Sequence, residues 1–159
     1  MTCRAAVARS LMIAVLTLGI DASAQSPVRV FVAVPPNPSG FVDRAMKDRD
    51  ATVKDLIGEL KRKKKTLTVV DAESAADIIV ELSSVAIVDG DLQTRANPVG
   101  GGATTSATKQ YRGVAKLKVG EYATELTAQA NFTFLVASHI AGDVDKWVKD
   151  NHDRLPQKN

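Results

Sequence analysis

The chain has 159 residues, which predicts a single domain, and carries 21 basic and 18 acidic side chains. A net charge of +3 gives little attraction for an acidic partner, and an aromatic content of 4% is too thin for the stacking surface that single-stranded nucleic acid needs, so no nucleic-acid partner is expected. Cys3 is the single cysteine, which excludes an internal disulfide framework and a cysteine-ligated metal centre.

Residues 1–24 have the layout of a secretory signal peptide. Arg4 and Arg9 form a basic region, Leu11–Ile20 is an unbroken apolar run, and Ala22-Ser23-Ala24 supplies small residues for cleavage after about Ala24. The apolar run is too short to cross a hydrocarbon core, which takes about 20 residues. No later segment has a span-length apolar run, and Asp21 stands where a lipid-anchored chain has its cysteine. The protein is therefore expected to be secreted or periplasmic, with residues 25–159 forming one domain.

Val28–Val34 is β-branched and aromatic and reads as a strand, stopped by Pro35, Pro36 and Pro38. Val53, Leu56, Ile57 and Leu60 recur at helical spacing and predict a helix near residues 50–64, capped by Asp50, with residues 40–49 as a separate turn. Thr66–Asp71 is the next strand, and strand–helix–strand predicts a right-handed parallel crossover. After a single turn at Ala72–Ala76, Ile78–Val88 reads as a long strand with Ile78, Val80, Leu82, Ala86 and Val88 on its apolar face.

Residues 89–109 contain Gly90, Asn97-Pro98 and the triplet Gly100, Gly101 and Gly102. They read as a flexible loop, or as a hairpin connection longer than packing requires. Gln110–Val119 and Tyr122–Ala130 form a hairpin about Gly120-Glu121, where glycine in the first central position suits a type II′ turn. Its dry face carries Tyr111, Ala115, Leu117, Val119, Tyr122, Leu126 and Ala128, and its wet face Arg112, Lys116, Lys118, Glu125 and Gln129. Val136, Ile140, Val144, Trp147 and Val148 predict a closing helix near 135–151. The expected class is α+β: a two-layer sandwich of about five mostly antiparallel strands with one βαβ parallel pair, and two helices on one face.

Catalytic chemistry is thin. His139 and His152 lack a ligand spacing, and Asp143 and Asp145 point away from each other on a helix. Phosphate-loop, nucleophile-elbow, zinc-helix and EF-hand patterns are all missing, so no catalytic residue, metal or cofactor is expected. Asp71, Glu73 and Asp77 cluster at the corner between two strands, where capping by Asp71 competes with a divalent-cation site. Lys61, Arg62, Lys63, Lys64 and Lys65 complement a helix C-terminus, or else touch an anionic surface or partner. These five residues, with Gly100–Gly102, are the candidate partner-binding set.

The strand ending Val69-Val70-Asp71, followed by a turn and by Ala76-Asp77-Ile78-Ile79-Val80-Glu81, resembles small domains of bacterial envelope proteins. These are the N-terminal domain of the Tol translocation β-propeller protein and the lipoprotein activators of penicillin-binding proteins. The likeness runs from Val28 to Val88; the hairpin at 117–126 and the closing segment 145–155 look more like uncharacterised secreted bacterial proteins. The resemblance implies a non-catalytic domain that binds another envelope protein. Two other readings stand beside it. One is a small-molecule or divalent-cation binder, possibly a weak enzyme, built from the Asp71/Asp77 corner and the 89–109 loop. The other is a basic protein that adheres to anionic membranes through Lys61–Lys65.

Overall fold

The computed structural model describes residues 26–36, 43–96 and 103–156; the signal-like segment 1–24 and Gly100–Gly102 lie outside them. In chain order the elements are β1 (Val28–Ala33), α1 (Arg44–Arg62), β2 (Leu67–Val69), a 3₁₀ turn (Glu73–Ala75), β3 (Ile78–Ala96), β4 (Ala103–Val119), β5 (Tyr122–Ala130), α2 (Thr133–Asp150) and a last 3₁₀ turn (His152–Arg154). The sheet order is β2-β1-β3-β4-β5. This is the α+β sandwich expected, and β1 pairs in parallel on both sides, with β2 and with β3. The remaining pairs are antiparallel.

α1 begins earlier than its apolar periodicity shows. The Asp43 carboxylate accepts the Met46 backbone N–H at 2.8 Å, so Asp43 is the cap and Asp50 lies inside the helix. The first turns, Arg44 to Asp50, bury no apolar side chain, which leaves the helical period unmarked there. From Thr52 on the stripe is regular: Thr52, Val53, Leu56 and Leu60 are buried, and the Thr52 hydroxyl donates to the Asp48 carbonyl at 2.7 Å. α2 buries Val136, Ala137, Ile140, Ala141, Val144 and Val148, a complete stripe over four turns.

Between these stripes and the sheet lies one core. The sheet contributes Val30 and Val32 from β1, Ile78, Val80, Leu82 and Val85 from β3, and Ala115, Leu117 and Val119 from β4. Each fully buried large aliphatic side chain contributes about 1.5–3 kcal/mol over its exposed state. Gly113 on β4 is the seat of α2: any Cβ there would overlap the Val136 side chain and press on Ile140. Gly120 has φ +56°, and no non-glycine described has positive φ, which fits the type II′ turn.

The inward alternation of β3 does not continue to Val88. A bulge between Leu82 and Ser84 adds one residue to β3 against β4. Val85 therefore turns into the core, while Ala86, expected inside, is exposed and Val88 is only half-buried. The opposite sheet face is wet as expected, with Arg112, Lys116, Glu125 and Gln129 exposed and Lys118 paired with Glu81.

Candidate interaction surface

β3 and β4 stay paired from Ile79↔Lys118 to Ala96↔Ala103. Their neighbours stop sooner: β1 last pairs at Ala33↔Glu81, and β5 at Tyr111↔Ala130. Beyond Ile87 and Tyr111 the hairpin is, among the described residues, a two-stranded arm with both edges open. At about 3.3 Å per residue, Val88–Ala96 carries it up to about 30 Å past the sheet. The segment 89–109, expected as a flexible loop or as a hairpin connection longer than packing requires, is strand over 89–96 and 103–109, so the second reading fits. The arm's Ala, Thr and Ser residues carry no apolar alternation, so the strand period was invisible there.

The ladder is supported by small polar contacts. The Thr94 and Thr105 hydroxyls lie 3.1 Å apart, and the Thr108 hydroxyl donates to the Asp91 carbonyl at 3.0 Å. At its root, the Gln129 amide donates to Gln110 Oε1 at 2.7 Å. A second bulge falls between Asp89 and Leu92. Gly90 is needed inside it, because a Cβ there would come within 2.8 Å of the Thr108 carbonyl oxygen.

Apolar side chains collect where the arm leaves the sheet. Six large hydrophobic residues are exposed among the described residues, and five belong to this end: Val34, Ile87, Leu92, Phe132 and Phe134. Leu92 is 73% exposed, Phe132 57% and Phe134 52%. The two phenylalanine rings stack at 5.6 Å, just past the end of β5 and at the start of α2. The sixth, Tyr122, belongs to the other end, where it stacks on Trp147 at 5.8 Å under the Arg154 guanidinium. The sequence marked neither Leu92, isolated between Asp91 and Gln93, nor Phe132 and Phe134, which fall at the change from strand to helix.

The candidate partner-binding set is divided by the fold. Thr66 accepts the backbone N–H of Val28, so Lys61–Lys65 sit where β1 begins, opposite the arm. Lys61, Lys64 and Lys65 are exposed, Arg62 pairs with Glu59, and Lys63 closes α1 through its backbone bond to the Leu60 carbonyl. Lys65 also lines an open cleft of about 440 Å³ with Ser26, Thr66, Lys149, His152 and Asp153.

The acidic corner is divided as well. Asp71 is exposed and caps nothing, since the 3₁₀ turn starts from Ala72 with no side-chain cap. Asp77 accepts from the Arg29 backbone N–H at 2.9 Å, from Nε at 3.1 Å and from Nη2 at 2.7 Å. It therefore fastens the start of β3 to β1, and this hydrogen bonding, with the Asp77 charge, holds the Arg29 guanidinium pKa above its ordinary value against the opposing effect of burial. Asp77 lies about 40 Å along β3 from Asp89, so the corner and the arm cannot share one ligand. Among the described residues no three His, Cys, Asp or Glu side chains converge as a metal site.

His139 is exposed on α2, and His152 is half-buried beside the cleft. Asp145 is buried; burial alone would raise its pKa, but Lys149 at 2.7 Å, with Thr66 and Lys63 nearby, holds it below the ordinary carboxylate value. No helix among the described residues is long and apolar enough to cross a membrane.

No family model and no curated protein matches the chain. Among solved structures, one described as a neuraminyllactose-binding hemagglutinin homolog from Helicobacter pylori aligns over 80% of this chain and 88% of its own, with 10% identity and a TM-score of 0.46.

Proposed function

We propose that the chain is an exported, non-catalytic binding or assembly protein of the bacterial cell envelope, and that the β3–β4 arm with its apolar root is the element that takes the partner. The observation that carries this reading is the pair of open strand edges beside exposed Leu92, Ile87, Phe132 and Phe134. An isolated two-stranded ribbon is marginal in water, and an open edge accepts an added strand readily. A partner strand on either edge would complete the hydrogen bonding and cover the apolar root, which is recognition by strand addition. The signal-like segment supports export, and the likeness of Val28–Val88 to envelope domains supports the setting and the nature of the partner, another envelope protein.

The test is site-specific photo-crosslinking in the native envelope. A crosslinker at Leu92 is expected to give one discrete adduct that a crosslinker at Lys116, on the wet face, does not give. Replacing 89–109 by an Asn-Gly turn, which rejoins the paired residues Val88 and Gln110, should abolish the adduct seen from a second crosslinker at Phe134. Identical adducts from Leu92 and Lys116, or an armless protein that keeps the Phe134 adduct, would overturn the proposal.

A further inference from the structure

We infer that the end of the fold opposite the arm is a docking surface for an anionic phospholipid bilayer. The topology builds this surface from distant parts of the chain. Both helices run from the arm end toward the opposite end, so their C-terminal cations arrive side by side. α1 delivers Lys61, Lys63, Lys64 and Lys65, and α2 with the turn after it delivers Lys146 and Arg154. Two parallel helix C-termini place two partial negative charges together, and these cations offset them.

The cations also outnumber the local carboxylates. Glu59 and Asp145 are already engaged by Arg62 and Lys149. Among the described residues, those six basic side chains make no ion pair, although Lys63 also acts on Asp145, and the exposed carboxylates that make none are Glu121, Asp150 and Asp153, with Asp71 and Glu73 at the corner beside β1. The cleft lined by Ser26, Lys65, Thr66, Lys149, His152 and Asp153 is open to solvent; Lys149 is held by Asp145, so Lys65 is the lining cation left to meet a headgroup phosphate.

Chain continuity adds a second argument. Ser26, the first described residue, lies in that cleft, so the preceding residues join the fold at the cationic end. They include Arg9 and the apolar run Leu11–Ile20. While that run is engaged with a bilayer, the cationic end is the part of the fold held nearest the headgroups. Nucleic acid fits this end poorly, because its aromatic pair, Tyr122 and Trp147, is already stacked and lies under Arg154.

The test uses the protein recovered after export, in vesicle flotation. It should float with vesicles containing phosphatidylglycerol, about tenfold less with pure phosphatidylcholine, and release as salt is raised. Lys61→Gln/Lys64→Gln/Lys65→Gln should lower flotation about tenfold with an unchanged thermal melt, and Lys54→Gln, midway along α1, should leave it unchanged. If the triple variant melts early, Lys146→Gln/Arg154→Gln is read instead, with the same loss expected. Equal flotation with both lipids would overturn the inference. So would unchanged flotation of a folded variant, or a protein that ignores both vesicles and is stabilised by inorganic phosphate alone.

Discussion

The two ends of the sheet are held by different means. Where β1 begins and the helices finish, side chains are tied to one another: Asp77 takes three N–H groups of Arg29, Asp145 takes Lys149, and Tyr122 lies between Trp147 and Arg154. Where β1 and β5 finish, Phe132, Phe134, Ile87 and Leu92 are exposed, and the arm runs on with open edges. The core between the ends is continuous. The difference teaches that contacts fixing the fold and contacts left open for another molecule are spatially separate here, so one set can be altered without the other.

The strongest way to break this comparison is at Gly113, where the core reaches the root of the arm. Gly113→Val should force α2 off β4 and cost about 1–3 kcal/mol in urea unfolding; an unchanged midpoint would mean that α2 does not press on β4 at Val136. Next is the clamp. Asp77→Ala should lower the unfolding midpoint by less than Gly113→Val, and Asp71→Ala should leave it unaltered; equal effects would make the acidic corner one unit after all.

A smaller effect belongs to Asp145. Its folded pKa lies below the ordinary 3.8, so the folded state favours the charged form. The stability it contributes is complete above that ordinary value and disappears as pH falls through the lowered folded value. Asp145→Asn should therefore flatten the acid limb of stability below about pH 4, read by denaturant titration at several pH values. Smallest of all, Leu92→Ser should leave stability within about 0.5 kcal/mol of the parent while weakening the adduct formed from the crosslinker at Phe134. A large loss of stability there would show that the arm belongs to the core.

Much of the fold was legible because its signals are local. The stripe through Val53, Leu56 and Leu60, the stripe from Val136 to Val148, and the hairpin about Gly120 each announce themselves within a dozen residues or so. What stayed hidden depends on partners far away in the chain. Arg29 and Asp77 are 48 positions apart, and nothing near either residue names the other. The bulge after Leu82 exists only against β4, so the alternation read through Ala86 and Val88 is out of phase by one residue. The arm was left open between a loop and a long hairpin connection for a different reason: its strands bury no continuous face, so they need no apolar period. Of the candidate surface, the sequence placed the segment 89–109 and missed the aromatic root.

The position of β1 has a consequence for the order of folding. It is the first strand of the chain, yet it lies between β2 and β3, and the layer above the sheet closes only with Val148 and Leu155 near the other terminus. Contacts of such long sequence separation form late and slowly. A chain delivered N-terminus first therefore cannot pair β1 on both sides until β3 has arrived, and cannot close the layer above the sheet until α2 has. Throughout that interval it remains open and able to be threaded. Truncation after Asn131, which removes α2, should accordingly leave a chain with no cooperative unfolding transition, however complete its strands.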